Sequence, residues 1–273
     1  MRTHLFRNQI GQAPGMVSTC NRVHLIGAGG NGAPMLMRLH KMHTTLRALG
    51  RRGLDVTVWD HDTVSPSNIG RQPFYASDIG KNKAELLVNR LKAIDPSLTA
   101  WQANTRKYTE AEKLEHDTLV VITCVDTKQA RRAVHEAVHI KGRALYWLDM
   151  GNEAHTGQVV LGECLWPNRK LRLPVVTEIY PDILDESIPE DDVPSCSTEE
   201  AIAKQSLFIN ELVVGHASNL LWQGIHGGQI THPILYINSH DHLVHPVGID
   251  PAFYRRKGLK PLVGQKNPFI ADI

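Results

Sequence analysis

Arg22-Val23-His24-Leu25-Ile26-Gly27-Ala28-Gly29-Gly30-Asn31-Gly32 decides the fold. A short apolar run that stops at glycine reads as a buried parallel strand. The Gly-x-Gly-Gly-x-Gly spacing after it suits a phosphate held at a helix N-terminus, where free backbone N–H groups and the helix dipole favour negative charge. Gly27 permits the sharp turn, and Gly29, Gly30 and Gly32 let backbone approach the phosphate closely. Leu36, Leu39, Met42, Leu46 and Leu49 then recur every three or four residues, so a helix is predicted from Gly32 to about Leu49. Pro34 falls in its first turn, where a missing N–H costs little, and Gly50 and Gly53 close it. A second strand, Asp55–Trp59, ends at Asp60, where an acid accepts hydrogen bonds from ribose hydroxyls.

The alternation continues outward. Residues 61–80, with Pro66, Asn68, Gly70, Pro73 and Gly80, read as a long loop, and loops of that length inside a domain are often functional. Asn82–Ile94 reads as a helix ended by Pro96, and Leu98–Ala103 as a third strand. Leu114 is assigned to a short helix, Thr118–Thr123 to a fourth strand, and Ala144–Met150 to a fifth. Thr127 caps an intervening helix that runs to about Lys141. Strand, helix, strand in this order is an α/β, doubly wound, mostly parallel Rossmann-like sheet, with ligands beyond the strands' carboxyl ends. Gly27–Gly32, Asp60 and Asp126 each directly follow a strand.

Residues 1–165 therefore read as a nucleotide-binding core, and 166–273 as segments that complete the same domain. Thr156–Leu161 is a further strand. Residues 166–197 are proline-rich and acidic, with Glu190-Asp191-Asp192 at their centre, and read as a crossover loop. One long helix is expected from Thr198 to about Gln223, capped by Ser197-Thr198-Glu199-Glu200 and buried on its Ile202, Leu207/Phe208, Val213/Val214 and Leu220/Leu221 side. Leu235–Val247 reads as a hairpin turning near Ser239-His240-Asp241, and the tail from Asp250 as poorly ordered.

Composition narrows the class. The chain has 273 residues, 42% of them hydrophobic, and a net charge of +2, so no strong field directs it to nucleic acid or an anionic membrane. No segment approaches a membrane span, and Met1–Ser18 lacks the apolar run of a secretory signal. Cys20, Cys124, Cys164 and Cys196 form no CxxC pair, which excludes a sequential zinc knuckle and fits a reducing, cytoplasmic setting. His232, His240, His242 and His245 lack a metal-ligand arrangement and read as surface histidines.

The chemistry sits in the loop. Asp60-His61-Asp62-Thr63-Val64 runs into Ser67-Asn68-Ile69-Gly70-Arg71-Gln72, then Asp78-Ile79-Gly80-Lys81-Asn82-Lys83-Ala84-Glu85. Carboxylate, carboxamide, guanidinium and ammonium groups in one loop suit a triphosphate better than hydride transfer. Together with GAGGNG and Cys124-Val125-Asp126, these motifs resemble the ThiF/MoeB/HesA family of activators of ubiquitin-like and sulfur-carrier proteins. The resemblance covers roughly residues 5–165 and weakens through the helix after Cys196. Pro194-Ser195-Cys196-Ser197-Thr198-Glu199-Glu200-Ala201 and the Gln205–Asn210 stretch are most similar to the ThiF branch of PRTRC plasmid gene systems.

The resemblance implies adenylation: ATP and Mg2+ activate the C-terminal glycine carboxylate of a small β-grasp protein, in a homodimer. It implies that Asp60 and Asp62 belong to the nucleotide site and that Asp60 holds the ribose. Asn68 and Arg71 would contact the phosphates, Gln72 would support the loop, Lys83 would neutralise the triphosphate, and Asp126 would bind magnesium. Lys81 is a neighbour that could share the role of Lys83. Arg7 corresponds to an arginine given across the dimer, with Arg2 and Arg22 as alternatives. Cys196 corresponds to an acyl-accepting cysteine, at a helix start where the dipole lowers a thiol pKa; the alternative is a small apolar residue filling that start. The two CxxC pairs of the sulfur-carrier activators are missing here. Three other readings stay open: adenylation of a tRNA base or peptide, a nicotinamide oxidoreductase, and a non-catalytic nucleotide-binding scaffold.

Overall fold

The computed structural model describes residues 4–5, 21–115, 118–141, 143–164, 173–188 and 206–258. In chain order the strands are β1 (His4–Leu5), β2 (Arg22–Ile26), β3 (Asp55–Trp59), β4 (Gln102–Asn104), β5 (Thr118–Thr123), β6 (Tyr146–Asn152), β7 (Thr156–Glu163), β8 (Gln229–Ile230), β9 (Ile234–Asn238) and β10 (Leu243–Val247). The helices are α1 (Gly32–Ala48), α2 (Lys83–Ile94), α3 (Lys128–Val134), α4 (Val176–Ile179), α5 (Ile209–Trp222) and α6 (Pro251–Arg256).

Eight strands form one sheet in the order β10-β9-β7-β6-β5-β2-β3-β4, and β1 pairs with β8 apart from it. From β4 to β6 every neighbouring pair is parallel; β7, β9 and β10 extend the sheet antiparallel. This is the mixed α/β Rossmann-like arrangement that the strand–helix alternation predicts. Chain order reverses between β2 and β5, so a crevice opens beyond their carboxyl ends. Every residue of β5 is buried, as a strand covered on both faces requires. One face carries Val23, Leu25, Val56, Val58 and Ile122 against α1, α2 and α5; the other carries Ile26, Trp59, Val121 and Trp147 against α3 and α4. Among the described residues no helix is long and apolar enough to cross a membrane.

Several boundaries differ from the sequence reading. The third strand is Gln102–Asn104, not Leu98–Ala103. Leu98 and Trp101 are buried anchors of the preceding turn, with Trp101 Nε1 donating to the Leu54 carbonyl at 2.9 Å. Leu114 is a lone buried anchor with no helix around it. α3 continues as a π-helical stretch, His135–Ile140, and α5 as another, Gln223–Gly227, stopped by Gly228 at φ +71°. The expected long helix is interrupted before Ile209, where α5 starts: Ser206 N–H donates to the Ala154 carbonyl at 2.7 Å, and Leu207 and Phe208 form an exposed turn, while residues 198–205 lie outside the described residues. Val213, Val214, Leu220 and Leu221 are buried as expected, together with Ile209 and Ala217, and Ile202 lies outside the described residues. Where a poorly ordered tail is expected, Pro251–Arg256 forms α6, because the Asp250 carboxylate caps the Ala252 and Phe253 N–H groups; residues 259–273 lie outside the described residues.

Candidate functional site

The glycine loop is built by close approach. Gly27 sits at φ +90°, a conformation that side chains resist, and a Cβ there would lie 2.6 Å from the Cys124 carbonyl oxygen. Its N–H donates to the Trp59 carbonyl at 2.8 Å, so the turn is tied to β3. A Cβ on Gly32 would overlap the Gly27 carbonyl, which is what lets α1 start hard against β2. Gly29 faces Gln72, and Gly30 faces Asn210 of α5, whose Nδ2 would be 2.7 Å from an added Cβ.

Asp60 is the hinge between this loop and the next. Its Oδ2 accepts the Ala28 N–H at 2.6 Å and its Oδ1 the Asp62 N–H at 2.8 Å. Burial raises its carboxyl above the ordinary range, against the opposing pull of those two N–H bonds and of Lys83. Asn82 caps α2 by accepting the Glu85 N–H at 3.0 Å, and its Nδ2 donates to the Asp60 carbonyl at 2.9 Å. The next residue, Lys83, is thereby aimed back at the site. Its ammonium is buried on one side and rests 3.2 Å from Asp62 Oδ2.

The 61–80 loop is folded rather than open. Asn68 is buried, and its Oδ1 accepts the Ser65 N–H at 2.9 Å and the Ser65 hydroxyl at 3.2 Å. That shapes the Pro66–Asn68 turn and leaves the Nδ2 end as the one that can donate to an anion. Arg71, half-buried, donates from Nε to the Ser67 carbonyl at 3.3 Å. Burial lowers its pKa, and the charge of Asp126, just past β5's carboxyl end, opposes that. Gln72 lies beside Gly29, with its buried Oε1 lacking a partner among the described residues.

The structure thus brings Gly27, Gly29, Gly30, Gly32, Asp60, Asp62, Asn68, Arg71, Gln72, Lys83 and Asp126 to one edge of the sheet. Lys81 instead points to Asp78, 3.8 Å from its Oδ1. Arg22, at the amino end of β2, pairs with Glu115 at 3.4 Å on the opposite edge. Arg2, Arg7, Cys20 and Cys196 lie outside the described residues. Cys164 is core, and the Cys124 thiol is pushed well up by burial and then by Asp149, which makes it a poor nucleophile. Among the described residues, the one group of three possible metal-ligand atoms close together is Asp60, His61 and Asp62, with the Lys83 ammonium already against Asp62.

Sequence reasoning missed a second layer behind the loop. Asp149, on β6, is fully buried; its Oδ1 accepts from Arg131 Nε at 2.9 Å and from the Thr123 hydroxyl, and Trp147 Nε1 donates to that hydroxyl at 2.9 Å. Arg131 also donates to the Met150 carbonyl at 3.3 Å. The network joins α3, which begins just past Asp126, to β6. Asn31 Nδ2 donates to Asn152 Oδ1 at 2.7 Å across the mouth of the crevice.

The fold is shared with solved structures. The crystal structure of PaaA superposes with a TM-score of 0.57 at 18% identity, covering 85% of this chain and 74% of that one. E. coli MccB crystallised with ATP gives a TM-score of 0.53 at 16% identity, and MccB with AMPCPP and MccA 0.53 at 15%. Each MccB comparison covers 85% of this chain, which spans 64% of the MccB chain. No curated protein matches the chain in sequence. The ThiF family profile matches residues 16–248, and the chain belongs to the ThiF family.

Proposed function

We propose that this chain adenylates a carboxylate with ATP, the carboxylate being the C-terminal glycine of a small β-grasp protein. One observation carries the reading: where strand order reverses, Asp60 accepts the Ala28 N–H of the glycine loop, Gln72 lies against Gly29, Lys83 reaches Asp62, and Arg71 feels the charge of Asp126. MccB, which shares the fold, has been crystallised with ATP and with AMPCPP plus MccA, and this supports ATP as the nucleotide.

The chemistry follows from the charges. A carboxylate is a weak nucleophile that a triphosphate repels. Arg71 offers forked donors and Lys83 a point charge, which reduce that repulsion and stabilise charge building on the departing pyrophosphate. Lys83 exchanges Asp62 for the polyphosphate when nucleotide enters. The acceptor carboxylate oxygen bonds to the α-phosphorus, the bond from that phosphorus to the pyrophosphate oxygen breaks, and an acyl-adenylate remains. Asp60 holds the ribose, and Gln72 keeps the loop against Gly29. Asp126 is exposed at the end of β5, which suits Mg2+, an ion that takes one or two carboxylates and draws its other ligands from phosphate and water. When bound there, the ion supplies charge neutralisation at the phosphates.

In the finer form of this reading the enzyme is a cytoplasmic homodimer of the PRTRC-associated branch. A second copy supplies Arg7. Cys196 then attacks the acyl carbon, AMP leaves, and the partner is held as a thioester. The test is ATP–pyrophosphate exchange with candidate small proteins, followed by intact-mass analysis. Exchange that requires a glycine-ended β-grasp protein is expected. Nicotinamide dinucleotide binding with no affinity for ATP would sink the reading, and exchange driven by tRNA would redirect it.

A further inference from the structure

His24 is an imidazole in the middle of β2, only 2% exposed, in a strand whose other buried residues are Val23, Leu25 and Ile26. Its Nδ1 accepts the Trp59 Nε1–H at 3.0 Å. An indole nitrogen only donates, so Nδ1 presents a lone pair and the ring proton of neutral His24 sits on Nε2. That Nε2 lies 3.2 Å from Glu115 Oε2, and Arg22 reaches the other oxygen of the same carboxylate at 3.4 Å. The His24 ring first, and Arg22 after it, holds the Glu115 carboxyl down to about 2, so Glu115 stays charged. Trp59 is the link to the nucleotide loops. It ends β3, its carbonyl accepts the Gly27 N–H at 2.8 Å, and Asp60 follows it. Its ring stands edge-on to Tyr108 at 5.2 Å, with the Arg106 guanidinium 5.8 Å from its centroid. A second proton on His24 sets an N–H against the indole N–H. The indole then loses its acceptor and must turn, next to Asp60. The other charged or titratable groups on this face are Glu112, 3.6 Å from Arg106, and the Tyr108 hydroxyl, which burial keeps neutral. The π-helical stretch packed there adds Glu136, exposed, His135, bonded to the Thr177 hydroxyl at 2.9 Å, and His139, its ring 5.2 Å from that of His135.

We infer that His24 is a positioning residue for the nucleotide site. As a neutral acceptor it fixes Trp59, and through Trp59 the Gly27 turn and Asp60; a second proton on its ring releases them. This rests on the nucleotide reading above and adds a form of regulation to it: a latch beneath the site that acid opens.

The test uses the full chain with a non-hydrolysable ATP analogue and magnesium, titrated calorimetrically at about pH 8 and about pH 6, on either side of the range in which histidines change charge. His24→Asn sets an amide oxygen near the place of Nδ1 and takes no second proton, and His24→Leu offers no acceptor. Both variants keep Asp60, so the pH dependence that Asp60 contributes is common to all three proteins. On acidification the Kd of the unaltered protein should rise about three- to tenfold more than that of His24→Asn, the worth of one hydrogen bond. At the higher pH, His24→Asn should bind like the unaltered protein and His24→Leu about three- to tenfold more weakly. Nitrogen NMR should find His24 Nδ1 without a proton at the higher pH. The Trp59 indole N–H signal, identified by its loss in Trp59→Phe, should shift on acidification. Equal pH dependence in His24→Asn, or a protonated Nδ1 at the higher pH, overturns the inference while leaving the nucleotide site standing. Full affinity in folded His24→Leu shows that the ring only fills space and overturns it too; if that variant does not fold, His24→Asn and the NMR signals decide. No binding of the analogue at either pH overturns the nucleotide reading, and the inference with it.

Discussion

Arg131→Met removes the cation that holds Asp149 inside the protein. Asp149 is fully buried, and its Oδ1 has two donors, Arg131 Nε and the Thr123 hydroxyl. Its Oδ2 has no partner among the described residues. Losing the guanidinium leaves a carboxylate in the interior with one neutral donor. Breaking a buried pair from one side costs about 3 to 5 kcal/mol, because the remaining charge is neither solvated nor matched. For a domain of this size that lowers Tm by about 6 to 20 °C. Arg131→Met/Asp149→Leu removes both charges and should recover most of the loss, since apolar replacements of a buried pair are often close to neutral. Calorimetry or urea unfolding of the two single variants and the double variant measures this directly. A single-variant cost under about 1 kcal/mol, or a double variant no better than Arg131→Met, would refute the reasoning, because either result means that Asp149 was solvated after all. The pair also fixes the start of α3 beside Asp126, so the single variants should lose activity along with stability.

The other predictions concern the loop. Gly27→Ala forces a side chain into φ +90° against the Cys124 carbonyl, and unfolding should show a loss of about 1 to 3 kcal/mol from backbone strain, plus the contact. Arg71→Ala and Asp126→Ala should each abolish exchange while circular dichroism and Tm stay close to those of the unaltered protein; near-normal exchange in either removes its assigned role. ATP affinity should weaken as pH falls, starting above the ordinary carboxylate range because burial raises the Asp60 pKa, and Asp60→Asn should remove that component. Stability from the same group runs the other way. The folded protein binds the proton more tightly than the unfolded chain, so Asp60 weakens the fold as pH rises through the window between its two pKa values.

Local signals made part of this molecule legible from sequence. β2 and β3 announce themselves as runs that end where a glycine or an acid begins, β5 as an apolar run shortly before Asp126, and Asn82 and Thr127 are caps one residue before their helices. The short third strand was misread because Leu98 and Trp101 bury their apolar bulk as turn anchors, and apolar content alone does not separate an anchor from a strand. The start of α5 was misread because Ser206 is fixed by a carbonyl far away in sequence, at Ala154. The same reason hid Asn31–Asn152 and Arg131–Asp149. Asn31 is only a variable position of the glycine motif and the other three residues belong to no motif, so only the fold, with β6 beside the glycine loop and α3, shows the pairs.

The most direct test is a crystal structure of the chain with a non-hydrolysable ATP analogue and magnesium. The account predicts the triphosphate over Gly27–Gly32, with the Lys83 ammonium moved from Asp62 to a phosphate oxygen and Arg71 and Asn68 Nδ2 within hydrogen-bond distance of the polyphosphate. Nucleotide bound elsewhere, or Asn68, Arg71 and Lys83 turned away from it, would contradict the account.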